Sequence, residues 1–447
     1  RWGDGSQIDE STPEQSLLTT ACALFGLRDS LTKELSDRGL TKLYQELELP
    51  IADLLALMEN REIAVDKKGL ETLATFFDGE VARETKIAHD AAGHEFNVGS
   101  PKQLQVVLFD ELGLPKTKKI KTGYTTDADA LTWLFEKTSH PLLAALLRIR
   151  ETKKLATTIE GLLVEIQNDK RIHTHFAQTV AATGRLSSVG PNLQNIPVRT
   201  EEGRKIRGCF IAGSGYDALL TADYSQIEMR IMAHLSNDAH LLKAFESGED
   251  LHATVAAEVF GVKPADVDPE MRRQIKAMSY GLAYGLSSYG LAAQLDLTPP
   301  AAQDLMDRYF ERFGGIRDYL KTVVEDARKV GYTETVMGRR RYLPDLMHDN
   351  RQRREVAERM ALNAPIQGSA ADIIKQAMLN VQSALLEGKF TSRLLLQVHD
   401  ELILEVVTKE IDEVSELVRV QMGKAYPLRA PLDVSVGIGK SWNDAAH

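Results

Sequence analysis

Two acidic residues, Asp223 and Asp400, stand where short apolar runs of β-prone residues stop. The end of a strand is a usual position for a catalytic side chain, and strands far apart in sequence can pair side by side. Two carboxylates separated by the width of a metal pair are what phosphoryl transfer requires. Taken alone, Asp400 is better explained as a turn residue than as a metal ligand. However, His399, Asp400 and Glu401 together fill the tip of a predicted hairpin where Gly or Asn is usual, and bound Mg²⁺ accounts for two of them.

A predicted helix over residues 272–285, between the two acids, carries cations at one end and aromatic rings at the other. Its four polar members are spaced by four residues, which makes a gently spiralling stripe about 18 Å long. That length suits a nucleoside triphosphate, with phosphates at the cations and base and sugar at the rings. The stripe also fits a surface helix, although Gly281 and Gly285 favour close approach by another group. Its members are Arg272, Lys276, Tyr280 and Tyr284.

The composition describes an ordinary globular protein of 447 residues, 43% hydrophobic and 26% charged. The length predicts about three domains. The chain begins at Arg1 without methionine, so we expect a fragment of a longer protein; there is no signal peptide and no membrane-spanning apolar run. The two cysteines, Cys22 and Cys209, argue against a disulfide framework and fit a reducing compartment.

A net charge of -10 does not favour nucleic-acid binding by the molecule as a whole, so any such binding must depend on local patches. Basic residues cluster in two places, at 116–121 and between Arg339 and Arg354. Either cluster is equally well explained as a solvated charged surface.

The coarse pattern predicts an α+β protein. The first third is helical, strands surround Asp223 and Asp400, a further strand lies near 434–438, and residues 236–362 form a helical insertion. Two blocks of strands around a helical block indicate one sheet with a long insertion. After the first strand, Ser225 followed by Glu228 has the pattern of a capping box, which predicts Ser225 as a helix N-cap.

Five ordered motifs make the chain resemble the polymerase part of the bacterial DNA polymerases of family A. The similarity covers nearly the whole chain, and long motifs in a fixed order are highly specific. The motifs are residues 183–199 with their Asn-Leu-Gln-Asn-Ile-Pro-Val-Arg end, 223–228, 272–285, 363–368 and 397–401.

The resemblance implies a right-hand polymerase with an antiparallel-sheet palm and mainly helical thumb and fingers. The expected divisions are a remnant of the end of an exonuclease-like domain at 1–50, thumb at 51–157, palm at 158–235 and 363–447, and fingers at 236–362.

The resemblance also implies a role for each motif residue in this chain. Asp223 and Asp400 hold two metal ions, with Glu401 near them, and Lys276 is the proton donor to the leaving pyrophosphate. The nucleotide is bound by Arg272, Lys276, His252, Tyr280, Tyr284 and Gln226, with Glu228 as the gate that excludes a ribose. The DNA is bound by Arg185, Gln367, Asn363, Arg359, Asn192, Gln194, Asn195, His399, Arg150 and Lys154, and by thumb residues including Lys118, Lys119 and Lys121.

Two departures from the family pattern carry their own predictions. No carboxylate occurs around Thr19–Ala23, where proofreading members place one, so we expect no 3′→5′ proofreading in this chain. Tyr280 stands where the best-known bacterial members have Phe.

The sequence therefore predicts template-directed DNA synthesis from dNTPs on a primer-template, with two Mg²⁺ ions for which Mn²⁺ substitutes. We expect a cytoplasmic, nucleoid-associated bacterial monomer that acts in repair and in replication gap filling, without membrane contact. Two alternatives stay open, a single-subunit RNA polymerase and a non-catalytic DNA-binding module. Glu228 argues against the first, and the joint presence of Asp223, Asp400 and Lys276 argues against the second.

Overall fold

The computed structural model describes residues 12–198, 200–246 and 250–446, apart from the side chain of Ala283. The start of the predicted remnant and Arg199, the last residue of the 183–199 motif, lie outside the described residues. The helices are α1 Pro13–Asp37, α2 Thr41–Leu43, α3 Leu49–Arg61, α4 Lys67–Ala92, α5 Pro101–Gln105, α6 Ala128–Thr138, α7 Pro141–Glu165, α8 Glu201–Arg207, α9 Ile227–Ser236, α10 Ala239–Glu246, α11 Leu251–Phe260, α12 Pro269–Ala283, α13 Ser288–Leu295, α14 Pro299–Arg312, α15 Gly314–Val330, α16 Arg351–Glu387 and α17 Ile411–Gly423.

The strands are shorter and form one main sheet with several small ones. They are β1 Ile63–Val65, β2 Lys119–Ile120, β3 Gly123–Tyr124, β4 Arg171–Ile172, β5 His175–Ala177, β6 Ser187–Val189, β7 Phe210–Ile211, β8 Ala218–Tyr224, β9 Tyr332–Glu334, β10 Arg340–Tyr342, β11 Arg393–Val398, β12 Glu401–Val406 and β13 Val434–Gly439.

The main sheet has four antiparallel strands in the order β11-β12-β8-β13. It joins the strand of Asp223 to the hairpin of Asp400, with more than 150 mostly helical residues between them, as the strand pattern predicted. In register, Glu401 lies opposite Asp223, and Ser435 lies opposite Asp223 on its other side. The predicted α+β class and the single antiparallel sheet with a long insertion are confirmed.

The sheet is buried on both faces, and its alternating side chains enter two different cores. Leu402 and Leu404 join the large core that contains α16 and α17, whereas Leu219 and Ile403 join a core built around Trp442. Because β side chains alternate, Asp223 and Glu401 fall on the same face as Leu219 and Ile403. Asp223 and Glu401 therefore both lie on the face of the sheet that packs against Trp442, at one end of the sheet.

Most of the chain outside the sheet is helical, and many of the helices have a short polar side chain at the N-cap. Asp66, for example, accepts a hydrogen bond from the Gly69 amide at the start of α4. Helices α4 and α7 pack along each other, and the β2–β3 hairpin with its lysines lies beyond α5. Helix α16 has 37 residues and runs continuously through the predicted boundary between 362 and 363. Helices α3 and α7 likewise cross the predicted boundaries at 50 and 157.

No helix among the described residues is long and apolar enough to cross a membrane.

Candidate active site

Asp223 and Asp400 lie on neighbouring strand ends. Asp223 is the second-last residue of β8, and Asp400 is in the two-residue turn between β11 and β12. The backbone amide of Tyr224 donates to the carbonyl of Asp400 across 3.3 Å, which joins the two strand ends directly. The structure therefore brings the two predicted metal acids together, as strand pairing requires.

The turn that carries Asp400 is held in an uncommon backbone shape. His399 has φ of 55°, a left-handed conformation that a non-glycine residue seldom adopts. The Gln397 side-chain amide donates to the His399 carbonyl, and the Gln194 side-chain amide lies 3.3 Å from the Gln397 side-chain oxygen. These amide contacts brace the backbone of the turn that carries Asp400.

Burial dominates the electrostatics of the acids. It raises the pKa of Asp400 to about 6; the Arg185 guanidinium opposes this rise, and the charges of Glu228 and Asp223 add to it. Burial also raises the pKa of Glu401 to about 7, opposed by Arg207. Burial therefore disfavours the ionised forms of both carboxyl groups.

This donor set fits a hard divalent cation. Carboxylate oxygens in a buried, electronegative site are the ligands that Mg²⁺ prefers, and Mg²⁺ commonly uses one or two carboxylates with water and substrate phosphates completing its shell. Within the described residues there is no cage of three or more His, Cys, Asp or Glu side chains. Asp223 and Asp400 would therefore hold metal ions only in company with substrate oxygens.

Glu228 is the centre of a polar network beside the acids. Glu228 is buried on the first turn of α9. Its carboxylate accepts a hydrogen bond from the Arg185 guanidinium at 2.8 Å and another from the Tyr284 hydroxyl at 2.8 Å. Gln367 on α16 also hydrogen-bonds Tyr284, whose pKa is raised to about 12 by burial and then by Glu228. The network ties four separate segments of the chain to one carboxylate.

The predicted capping box at the start of α9 is wrong. Gln226, not Ser225, is at the N-cap position, with φ of 55° and no side-chain cap. The Ser225 hydroxyl is instead 3.3 Å from that of Ser435, because the Ser225 amide pairs with Asp433 and extends the sheet edge. The buried side-chain oxygen of Gln226 has no hydrogen-bond partner in the described part of the chain, so it is available to a bound molecule.

Helix α12 carries most of the predicted nucleotide stripe. Arg272 and Lys276 are exposed and Tyr280 is partly buried. The Arg272 guanidinium makes two contacts of 2.9 and 2.7 Å with Asp250, the N-cap of α11. His252 is buried, its pKa is lowered to about 4 by burial and then by Lys276, and its ring centroid is 5.9 Å from that of Tyr280. An uncharged imidazole therefore lies beside the ring of Tyr280.

The helix ends earlier than predicted. It stops at Ala283, Tyr284 is its C-cap, and Gly285 has φ of 69°. Gly285 leaves the helix because this left-handed turn favours glycine. The expected close approach holds for both glycines: an added Cβ would lie 2.7 Å from Leu286 at Gly281 and 3.0 Å from Leu362 at Gly285.

Helix α16 presents Arg359, Asn363 and Gln367 at steps of four, so they follow one another along one stripe. Arg359 is exposed and the other two are partly buried. Gly285 packs directly against Arg359 and Leu362. This stripe therefore runs past the end of α12 towards the Glu228 network.

The remaining predicted DNA residues lie on α7 and on the 191–195 turn. Lys154, Asn192 and Asn195 line a groove of about 600 Å³ between α7 and the 191–195 turn. The Asn192 side chain also caps its own turn by accepting from the Gln194 amide at 3.0 Å. Arg150 is partly buried, and burial lowers its pKa while Asp127 opposes that change.

The two basic clusters differ. Lys118, Lys119 and Lys121 are exposed on the β2–β3 hairpin. In the second cluster most arginines are matched by acids: Arg340 pairs with Glu334 at 2.6 Å, and Arg353 pairs with Asp345 at 2.8 Å. The first cluster is thus the stronger candidate for binding phosphate.

Three residues that contact the site had no signal in the sequence. Asp250, Arg207 and Trp442 reach Arg272 or Glu401 only through tertiary packing. Asp250 has the pattern of an ordinary helix cap, and Trp442 lies in a short segment without a motif. Only the fold brings them to the site.

Comparisons with known proteins agree with this geometry. The family model described as DNA polymerase family A matches residues 67–444. DNA polymerase I of Mycobacterium tuberculosis (strain ATCC 25618 / H37Rv) is 58% identical over 442 residues, which are 98% of this chain and 49% of the relative. DNA polymerase I of Geobacillus stearothermophilus is 45% identical over 439 residues, 98% of this chain and 50% of the relative. The chain spans about half the length of these relatives.

A solved structure described as the POL domain of Pol1 from M. smegmatis, in complex with DNA primer-template and dNTP, has a TM-score of 0.94 and 57% identity. The similarity covers 99% of this chain and 78% of that one. Together with the family match, it confirms the predicted fold class.

Proposed function

Because this chain belongs to DNA polymerase family A, we propose that it is a DNA-directed DNA polymerase that adds dNMP to a primer 3′-hydroxyl and releases pyrophosphate. The observation that carries the proposal is the convergence of Asp223 and Asp400 on paired strand ends, with the Glu228 network linking them to α12. Acids for metal, cations for phosphate and rings for a base then border one site. The primer-template and dNTP in the similar M. smegmatis structure support the same substrates.

Each residue acts at a stated place in this proposal. Asp223 and Asp400 would hold two Mg²⁺ ions, and bound Mg²⁺ would supply a lowered pKa for the attacking hydroxyl and positive charge for the triphosphate. Arg272 and Lys276 bind the phosphates, and Lys276, exposed on α12, gives a proton to the leaving pyrophosphate. Asp250 must release Arg272, or share it, when the phosphates bind.

The sugar and base are placed by the buried side of the same helix. Tyr280 flanks the sugar and base, and Glu228 occupies the space that a 2′-hydroxyl needs. The uncharged His252, beside Tyr280, binds the triphosphate together with Arg272 and Lys276. Tyr284 stacks near the template. Gln226 lies at the start of α9 and offers its buried side-chain oxygen to the nucleotide.

The DNA contacts are divided between the sheet and the helices. Arg185, Gln367, Asn363 and Arg359 bind the primer end and the templating region, with His399 at the terminal nucleotide. The groove at Asn192, Asn195 and Lys154, together with Gln194, Arg150 and the hairpin lysines, holds the duplex. The five divisions predicted from the sequence name these regions as thumb, palm and fingers.

The finer features remain part of the proposal. Mn²⁺ substitutes for Mg²⁺, the protein works as a monomer in the bacterial cytoplasm at the nucleoid, and it serves repair and replication gap filling. This chain does not proofread. A mismatched primer incubated with Mg²⁺ and no dNTP should keep its length; magnesium-dependent shortening that survives Asp400→Ala would contradict this.

Primer extension with Asp223→Ala and Asp400→Ala tests the proposal. Each variant should bind primer-template with nearly parental affinity in fluorescence anisotropy but fail to extend it, because one metal site is lost. Asp412→Ala, which removes an exposed carboxylate on α17, is the matched control and should extend normally. The assignment is wrong if either site variant extends primers within about tenfold of the parent rate, since loss of a catalytic metal costs far more than this.

The same assay with NTPs in place of dNTPs separates this function from an RNA polymerase. Extension with dNTPs and rejection of NTPs is the expected result. Failure of the parent chain to extend with either substrate would favour a DNA-binding module.

A further inference from the structure

The C-terminal segment 439–446 packs under the sheet face that carries the acids. The Trp442 amide donates to the Phe210 carbonyl at 2.8 Å, and the Thr221 hydroxyl on β8 donates to the Ala445 carbonyl at 2.6 Å. Gly439 makes the turn possible, because a Cβ there would lie 2.4 Å from the Ala445 nitrogen. The segment is therefore fixed against both β7 and β8.

The side chain of Trp442 reaches Glu401 from this segment. Its indole N–H lies 3.3 and 3.4 Å from the two carboxylate oxygens, and the ring is fully buried. The Arg207 guanidinium stacks on the same ring at 3.9 Å from its centroid and is 3.9 Å from the Glu401 carboxylate. Glu401 is thus held by a bifurcated hydrogen bond and by one buried cation.

The need for such a hold follows from the register. Glu401 lies directly opposite Asp223 on adjacent antiparallel strands, and cross-strand partners have Cβ atoms about 4.5–5.5 Å apart on the same face. Two like charges at that distance repel each other. A Glu401 side chain without partners would be free to move into the space beside Asp223.

Arg207 shows how closely this arrangement is built. The side chain is 4% exposed and its Nε has no hydrogen-bond partner among the described residues. A buried guanidinium nitrogen without a hydrogen bond costs free energy. Stacking on Trp442 and attraction to Glu401 offset this cost and hold the Arg207 side chain in position.

We propose that Trp442 is a positioning residue for the metal site: together with Arg207 it holds the carboxylate of Glu401 in one place and so keeps it from moving against Asp223. This inference rests on the proposed function. Partners of this kind, which orient metal-binding groups without touching the metal, commonly change metal affinity about 10–100-fold when they are removed. The competing view is that Trp442 only fills the core.

Metal binding without turnover distinguishes these views. Mn²⁺ binding is measured by electron paramagnetic resonance in a complex with a dideoxy-terminated primer-template and the next dNTP, so that no reaction occurs. Trp442→Phe keeps a buried ring but removes the N–H, and it should weaken Mn²⁺ binding about tenfold. Trp133→Phe, on the distant helix α6, is the matched control and should leave the affinity unchanged.

A double-mutant cycle shows whether the effect passes through Glu401. In a Glu401→Ala background, the carboxylate on which Trp442 acts is absent. Trp442→Phe should then change Mn²⁺ affinity by less than about twofold, which is the usual scatter of double-mutant cycles. An equal loss of affinity in both backgrounds, or no loss in the parent, would overturn the inference. Arg207→Lys keeps the charge but loses the stacked plane, and it provides the same test if Trp442→Phe does not fold.

The two proposals fail in different ways. If the parent chain does not extend primers, the proposed function fails whatever Trp442 does. If Asp223→Ala and Asp400→Ala keep full extension, the proposed metal site fails. If those variants are inactive and both Trp442→Phe and Arg207→Lys bind Mn²⁺ as the parent does, only the role of Trp442 is rejected.

Discussion

Glu228 makes the sharpest residue-level prediction, because a carboxylate used as a gate must be held still. Arg185 and Tyr284 hold it at 2.8 Å each. Glu228→Ala should open space for a 2′-hydroxyl and raise the kcat/KM for NTP relative to dNTP by about tenfold or more, the usual effect of one filled or vacated group in a pocket. Glu228→Gln keeps the bulk and should retain most discrimination. Equal discrimination in the parent and the Ala variant would place the gate elsewhere.

Tyr280 predicts how the enzyme treats dideoxynucleotides. A normal dNTP has a 3′-hydroxyl that can hydrogen-bond to its own phosphates, and the phenol of Tyr280 can supply the group that a ddNTP lacks. One hydrogen bond to a charged group contributes about 1.5–3 kcal/mol, roughly tenfold to a hundredfold in selectivity. We expect the parent to accept ddNTPs readily and Tyr280→Phe to reject them. The ratio of kcat/KM for ddNTP and dNTP measures this.

A matched change separates the sugar contact from general effects of losing a phenol. Tyr289→Phe alters an exposed ring on α13 and should leave the ddNTP to dNTP ratio unchanged. If Tyr280→Phe also leaves the ratio unchanged, the phenol has no role in sugar selection and Tyr280 only packs against the base.

Glu62 links one residue to the stability of the whole chain. It is fully buried after α3 with φ of 43°, and the backbone amides of Thr174 and Ile63 that face its carboxyl group do not offset the burial. Burial raises its pKa from 4.5 to about 9. Below pH 4.5 the acid is protonated in both folded and unfolded states. As pH rises towards 9, the unfolded state gains the ability to ionise and the folded state loses relative stability.

Glu62→Gln should therefore raise the free energy of unfolding at neutral and higher pH but not near pH 4.5. A difference of 3 pH units, from 4.5 to 7.5, corresponds to an upper limit of about 4 kcal/mol. Urea unfolding at pH 5 and pH 8 measures the two values. A gain that is the same at both pH values would show that Glu62 is not neutral in the folded chain.

At the scale of elements, the β2–β3 hairpin should act through phosphates. Replacing Lys118, Lys119 and Lys121 together by Ala should weaken duplex binding for every sequence and reduce the slope of log K against log salt by about 0.9 per lost contact. The control is a triple replacement of Lys67, Lys68 and Lys86 on α4. A hairpin variant with the parental slope would assign these lysines to solvated surface.

The elements were predicted well where local pattern decides them. The leucines on both sides of His399–Glu401 predict the hairpin, and the stripe from Arg272 predicts most of α12. The errors occur at element ends. Ser225 has the residue type of a cap, but sheet pairing with Asp433 extends the chain past it. Gly285 suits a helix face by spacing, whereas its left-handed φ ends the helix.

At the scale of the molecule, the site is assembled from segments that no local pattern relates. The sequence predicted only that the strands of Asp223 and Asp400 can pair. The register of these strands, which places Glu401 opposite Asp223, comes from packing on both faces of the sheet. Ordered motifs supplied the roles of most site residues. The contacts of Asp250, Arg207 and Trp442 could not be predicted, because each depends on how distant helices, strands and the C-terminal segment pack.

Helix α16 has a mechanical consequence. At 1.5 Å per residue its 37 residues form a rod about 55 Å long that joins the 332–342 hairpin region to the sheet. Pro365 has no N–H to close its turn, so the rod bends most easily there. This flexible turn lies between Asn363 and Gln367. A displaced primer end and a tilt of the Arg351 end of the helix would both bend α16 at this turn. If α16 bends at Pro365, its backbone amides at 361–369 should exchange hydrogen faster than those in the flanking turns. Uniform protection along the helix would show that it does not bend there.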